Sequence, residues 1–438
     1  MDGTLRRTGS RIFRNFMKLV GGRFFGGLLA LGATLITARS LGVESFGTLV
    51  LVHAYVMLVR GIVNLKPFEA IVRFGAPLLD RGDFSSLCQL LRTTFVIDLC
   101  TAVAGTVGAL FGIELMLLFG GWGDQTVEIA RWDGLVLLAC GYGTASGLLR
   151  VCDKFGAISL ALVMGNTVRF IGAAAISVWG GISVATFAAV WASSLILRFL
   201  CLQLFGWRTA LKTIPASDLR GGISFREVSR CHPGIWHFVH IVYWNSTLDL
   251  VPKSVGTLAA GALLGAEQAG LFRIAREFAN VISKPALLIR QAVYPDLARL
   301  QDRRDSAFGR IVVAVVLVLS LPAIALTVLT VFFGEWALST FVGSDFAPAA
   351  TVLSWLALSA AIEVTAAPLR PAAYALGRAR TALFLQIMAV AGYCYLFVQL
   401  TPMFGLTGLG LATLALWSTV LAGMTYLVTT ALRAQGPA

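Results

Sequence analysis

The chain has 438 residues, of which 57% are hydrophobic and 13% charged, about half the charge of an ordinary soluble domain. A mean hydropathy of +0.81 and repeated uncharged runs near the ~20 residues that cross a bilayer exclude a soluble enzyme and predict an all-α integral membrane protein. The net charge of +13 lies in the connections between apolar segments, so it gives no reason to expect nucleic acid as a partner.

Hydropathy predicts about twelve membrane spans, near 19–37, 45–63, 93–119, 134–152, 157–177, 183–203, 234–256, 268–290, 309–333, 347–368, 381–400 and 407–430. Residues 64–92 mix Lys66, Glu69, Arg73, Asp80, Arg81 and Asp83 with apolar side chains and read as an amphipathic connection. The organisation expected is a six-helix half over 1–205, a linker over 206–233 and a second six-helix half over 234–438, arranged around a central cavity. The basic leader runs straight into the first span, with no clear cleavage site of a secretory signal.

Charge in the connections tests this order, because cytoplasmic loops of membrane proteins are enriched in Lys and Arg. With both termini in the cytoplasm, 27 of the 35 basic residues fall on that side and only Arg39 and Arg131 on the other. One missed or extra span would flip every later loop and destroy the asymmetry. The opposite face carries acid instead, at Glu44, Asp124, Glu128, Asp133, Glu267, Glu335 and Asp345. Its connections are short, leaving no extramembrane segment large enough for an ordinary active site.

The sequence LGVESFGTL at 41–49 recurs as LGAEQAGLF at 264–272, so Gly42, Glu44 and Gly47 match Gly265, Glu267 and Gly270. A Lys-Pro pair follows each copy, Lys66-Pro67 and Lys284-Pro285, and then a charged turn, LLDRGD at 78–83 and LQDRRD at 300–305. This order predicts two parallel halves, a known transporter plan in which the halves move around a shared site. A turn and helix start that happens to recur is the plainer reading of the same motif.

Ionisable residues at membrane depth are costly and mark cavities or paired interiors. In the second half Asp249 and Lys253 share a helix face, Arg273, Arg276 and Glu277 begin the next span, and Lys284 precedes Pro285. Together they predict a cavity wall of net positive charge, suited to an anion. In the first half Arg169 stands alone in the apolar run LALVMGNTVRFIGAAAISV, and its planar fork suits phosphate. Cavity function and structural pairing are both open for these residues, whereas Arg60, Asp98 and Glu114, near helix ends, fit structural use. His237 and His240 can share a face as a protonation switch, although the neighbouring Trp236, Tyr243 and Trp244 also suit interfacial packing. Glu363, in span ten, is the other coupling candidate. The seven Cys have no CxxC or zinc-ligand spacing, and no metal site is expected.

The segments RSLGVESFGTLVLVHAYVMLV, LLGAEQAGLFRIAREFANVISKPALLIRQAVYPDLARL and GLTGLGLATLALWSTVLAGMTYLV resemble bacterial polysaccharide and O-antigen flippases of the multidrug/oligosaccharidyl-lipid/polysaccharide exporter superfamily. The resemblance covers essentially the whole chain. It implies a bacterial inner-membrane flippase that moves an undecaprenyl-diphosphate-linked oligosaccharide to the periplasmic leaflet by alternating access. The cations named above would hold the diphosphate, and Asn166, Asn245 and Ser246 would contact sugar hydroxyls. It implies no bound cofactor, a proton or sodium gradient as driving force, and a polysaccharide polymerase and chain-length proteins as partners. Family members commonly carry an Asp before the second GxExxG-like turn; Asp249 fits that place, with Pro252 and Lys253 close behind it. The competing functions are a cation-coupled multidrug antiporter, expected to have an acidic and aromatic cavity, and a lipid II-type precursor flippase, expected to have fourteen helices.

Overall fold

The computed structural model describes the backbone of residues 2–120, 122–215, 222, 225–302 and 307–434, and side chains within 21–114, 122–215, 222, 225–244, 246–248, 250–251, 254–284 and 308–433. Every regular element in them is helical. The chain begins with α1 (Asp2–Val63), continues through the short α2 (Pro67–Ala70) and α3 (Ala76–Arg81), and enters the membrane again with α4 (Phe84–Gly120). Then come α5 (Asp124–Leu135), α6 (Gly143–Val151), α7 (Phe155–Trp179), α8 (Val184–Thr213) and α9 (Phe225–Cys231). The remainder is α10 (Ile235–Leu250), α11 (Gly256–Leu264), α12 (Ala266–Asp302), α13 (Ala307–Phe341), α14 (Ala349–Ala366), α15 (Leu369–Ala375), α16 (Ala379–Phe404) and α17 (Leu406–Ala434).

Among the described residues, nine helical stretches are long and apolar enough to cross a membrane. The first, Gly21–Val63, contains two of the expected spans, separated by a backbone break at Gly42 (φ 75°, ψ 172°). The expected spans at 234–256 and 268–290 coincide with α10–α11 and α12, which fall outside those nine. Span four begins earlier than hydropathy suggests. Asp124–Leu135 is helical and joins α6 through a tight turn at Val136–Cys140, giving one membrane-length stretch Asp124–Val151. Asp133 therefore sits inside a helix and is buried, not on a loop.

The chain divides into two compact units, one formed by 1–41 and 52–250, the other by 42–51 and 251–438. In the first, α7 packs along α8, α6 packs on α8, and α2 packs on α6. Leu87, Leu90, Leu148, Ile214 and Val228 form a buried cluster there. In the second, α14 is the central helix, packed against α12, α13 and α17, with α16 along α17. Its core is made of small residues, including Ala357, Ala360, Ala361 and Ala367 around Ile282 and Leu319, which let helix backbones approach closely in lipid.

The recurring GxExxG segment has one structural meaning in both copies. Gly42 and Gly265 adopt nearly the same conformation, φ 75°, ψ 172° and φ 93°, ψ 170°, a region that only glycine enters without strain. The two segments also pack on each other inside the second unit. A Cβ on Gly47 would lie 1.8 Å from the Ala266 carbonyl oxygen, and one on Gly270 would lie 2.6 Å from that of Val43. The Lys-Pro pairs do not share a conformation: Lys66 is left-handed (φ 53°) at the start of α2, while Lys284 continues α12.

Candidate substrate and coupling site

In the first unit, the polar interior is organised around Arg169 on α7. Its guanidinium donates to Thr34 Oγ1 at 3.1 Å and lies 3.7 Å from the ring centre of Trp191 on α8. Trp191 is 2% exposed, so the cation–π contact is largely desolvated, where such contacts are strongest. On the far edge of Trp191, His53 packs its ring at 5.0 Å, and His53 Nδ1 is 3.8 Å from Asp133 Oδ2. Thr34, Arg169, Trp191, His53 and Asp133 thus form a continuous polar thread through the interior, contributed by α1, α5, α7 and α8. Asn166, just under one turn before Arg169, donates to the Gly26 carbonyl at 2.8 Å.

A second group gathers around Tyr142, between the turn after α5 and the start of α6. Arg60 donates to Tyr142 Oη at 2.5 Å and lies 5.1 Å from its ring centre, while Arg198 of α8 lies 5.3 Å from it. Arg150 at the end of α6 covers the Phe68 ring at 4.2 Å. Asp98 of α4 is 3% exposed and accepts from the Thr144 backbone N–H at 2.6 Å, so it satisfies the start of α6. Outside the spans, Glu69 is held above the ordinary carboxylate range by burial, opposed by Arg150 and Lys66.

In the second unit the charges run along α12. Arg273 pairs with Glu277 at 2.5 Å across one turn. Arg276 lies within electrostatic reach of Arg273, Glu277, Glu363 and Tyr393. Glu363 of α14 accepts from Ser283 at 2.8 Å, and Tyr393 of α16 is buried and stacked on Phe397. Arg273, Arg276 and Glu363 are therefore brought together, but Glu277 and Glu363 balance their charge. Lys284 is exposed. The side chains of Asn245, Asp249 and Lys253 lie outside the described residues. His237 and His240 are exposed on α10, and His240 Nε2 accepts from Trp244 Nε1 at 3.0 Å. Among the described residues, no three His, Cys, Asp or Glu side chains gather as a metal site would require.

Hydropathy and charge patterning do not single out His53, Trp191 or Tyr142, and they place Asp133 on an outward loop. A lone His inside the apolar second span is the one signal that points to His53. Arg150 and Arg198 read as loop cations, because loop charge says nothing about which of them meet in space.

No known protein-family model matches the sequence. The chain is 24% identical over 308 residues to the inner membrane protein YghQ of Escherichia coli (strain K12), covering 69% of this chain and 83% of that protein. Its structure is similar to an inward-facing multidrug resistance MATE family transporter of the MOP superfamily, with TM-score 0.74 and 16% identity, covering 94% of this chain and 96% of that one. It is also similar to the lipid II flippase MurJ in an inward closed conformation, with TM-score 0.68 and 15% identity, covering 94% and 87%. The chain is a multi-pass protein of the bacterial inner membrane, and its fold is that of the MATE and MurJ transporters.

Proposed function

We propose that this protein is an alternating-access transporter whose cargo is an anionic lipid-linked precursor, specifically an undecaprenyl-diphosphate-linked oligosaccharide moved to the periplasmic leaflet. The twelve-span, two-half organisation with both termini in the cytoplasm belongs to the same proposal. The observation that carries the cargo class is the polar interior of the first unit, where Arg169 is held against Trp191 and Thr34 and two further arginines, Arg60 and Arg198, approach Tyr142. Guanidinium groups in a low-dielectric interior suit phosphate and disfavour an organic cation. The prenyl chain would remain in the bilayer while the diphosphate and glycan cross through the protein.

The matched structures favour two competing cargoes, since one is a multidrug exporter and the other a lipid II flippase. Cation-coupled drug export is favoured by the higher fold similarity to the former and by the His53–Asp133 pair in the interior of the first unit. A lipid II-type precursor shares the diphosphate and would use the same arginines. Replacing Arg169 by Ala separates these readings. Loss of surface polysaccharide at unchanged protein level supports the proposal; unchanged polysaccharide with heightened sensitivity to toxic cations places the protein among drug exporters; arrest of peptidoglycan synthesis identifies the lipid II-type cargo.

A further inference from the structure

We infer that the first unit holds a binding slot for an anionic phospholipid of the cytoplasmic leaflet, between α4 and α8, with one acyl chain in the slot and the phosphate at Arg92. The inference goes beyond the transport reading above and does not rest on it. The slot follows from helix packing. α4 and α8 each pack on the short α6, which holds their facing sides apart and supplies the buried Ala145 and Leu148 as the floor. Small residues on α8, Gly206 and Ala210, deepen it. At the rim Phe95 of α4 and Trp207 of α8 meet edge to face at 6.2 Å and stay 37% and 53% exposed.

Size and depth select the chain. The slot encloses about 130 Å³, well below the ~300–1,000 Å³ of a pocket for a drug-sized ligand, so it suits one narrow chain. Along α8 its lining runs from Gln203 to Ile214, about 16 Å at a rise of about 1.5 Å per residue. One leaflet of the hydrocarbon core is about 15 Å deep, so the slot spans the depth that an acyl chain occupies. Gln203, at the deep end, donates to the Gly141 carbonyl at 3.0 Å, which ties its amide to backbone and leaves the walls mostly apolar.

Charge selects the headgroup. The start of α4 and the end of α8 both belong to the basic side of the predicted topology, which is the cytoplasmic face. Arg92 lines the slot and donates to the Gly222 carbonyl at 3.4 Å, so its guanidinium reaches toward the linker and the aqueous end. Its planar fork suits phosphate there. α9 packs on the same helix, α4, and exposes Arg226 and Arg230 against Glu227, while Asp83, just before α4, accepts from the Ser86 backbone N–H. This end of the slot is therefore net positive. Basic pockets between helices on the cytoplasmic side attract anionic lipids, and an aromatic rim at headgroup depth is their usual companion. A zwitterionic lipid brings no net charge to offset the imbalance.

The test places the full-length protein in nanodiscs mixed from phosphatidylcholine and phosphatidylglycerol in varying proportion, with one of the two brominated on its acyl chains, and reads tryptophan quenching. The part of the quenching that Trp207→Phe removes reports the slot. That part should reach half its maximum at a mole fraction of brominated phosphatidylglycerol at least about tenfold below that of brominated phosphatidylcholine, or about 1.4 kcal/mol. Arg92→Gln should bring the two lipids within about twofold of each other in a protein that still melts cooperatively. If that variant does not fold, wild type alone decides: raising salt from about 0.05 to about 0.5 M should shrink the preference at least about threefold, because a phosphate contact at the aqueous end is screened. A wild-type preference below about twofold, a folded Arg92→Gln protein that keeps the preference, a preference indifferent to salt, or selective quenching that survives Trp207→Phe overturns the slot. Farnesyl diphosphate, a short prenyl diphosphate, should leave the quenching in place; its release by that compound would give the slot to a diphosphate lipid and overturn the assignment to a bilayer phospholipid.

Discussion

Substituting Gly47 by Ala should loosen the second unit at the contact between the two GxExxG segments. The added Cβ would sit 1.8 Å from the Ala266 carbonyl oxygen, whereas ordinary van der Waals contact begins near 3.4 Å. Because the obstacle is backbone at the start of α12 and not a flexible side chain, the two segments must separate by about 1.5 Å. Forced overpacking of this kind costs about 1–3 kcal/mol, which at about 2–4 °C per kcal/mol for a unit of this size predicts a fall in melting midpoint of roughly 2–12 °C. Gly123→Ala is the control, since a Cβ there meets nothing within 4 Å and the backbone is extended; its effect should stay within about 0.5 kcal/mol. Gly270→Ala attacks the same contact, with a Cβ 2.6 Å from the Val43 carbonyl oxygen, so the double variant should lose less than the sum of the two. The assay is a thermal melt of purified protein followed by tryptophan fluorescence in one detergent. A Gly47→Ala protein that melts with wild type would refute the reasoning.

Further predictions concern single groups. Asp83 accepts from the Ser86 backbone N–H at 3.1 Å at the start of α4, and Asp83→Ala should cost about 1 kcal/mol, as loss of a helix cap does. Hydrogen bonds from the Ser86 side chain and then its backbone hold the Asp83 carboxyl below the ordinary range, so the stabilisation is present above the unfolded value of about 3.9 and is lost as pH falls through the lower folded value; the difference in midpoint between wild type and Asp83→Asn should be flat from neutral pH down to about pH 5 and collapse below about pH 4. Asp98→Ala leaves the Thr144 N–H buried without its 2.6 Å partner and should destabilise by about 1–3 kcal/mol, with Asp98→Asn recovering part of it, measured as the melting midpoint of each variant. Arg169→Lys keeps the charge but loses the planar stack over Trp191 at 3.7 Å; surface polysaccharide should fall by about tenfold or more, and the fluorescence of Trp191 should change.

The fold was legible where hydropathy and glycine carried it. The GxExxG repeat marked two positions that share a glycine-only backbone conformation, because that conformation leaves a residue-type signature. The Lys-Pro pairs carried no such constraint, and the structure gives them different backbones. Helix boundaries failed where polarity hid a helix: DQTVEIARWDGL has the composition of a loop, yet it forms α5 and carries Asp133 into the interior. Arg169 and Asn166 stood out because each interrupts an apolar run. Arg198 did not, since its approach to Tyr142 depends on how α8 packs against the start of α6, and spacing along the chain does not encode that. The second unit differs in a similar way: its sequence promises net positive charge, while α14 supplies Glu363 across from Arg276 and neutralises it.

Deleting the gene in its own host and measuring, by mass spectrometry of extracted lipids with a membrane-impermeant glycan label, where lipid-linked oligosaccharide stops is the direct test of the transport proposal. Completed repeat units confined to the cytoplasmic leaflet, together with loss of surface polymer, are the predicted result. Normal surface polymer with unchanged lipid-linked intermediates would contradict it.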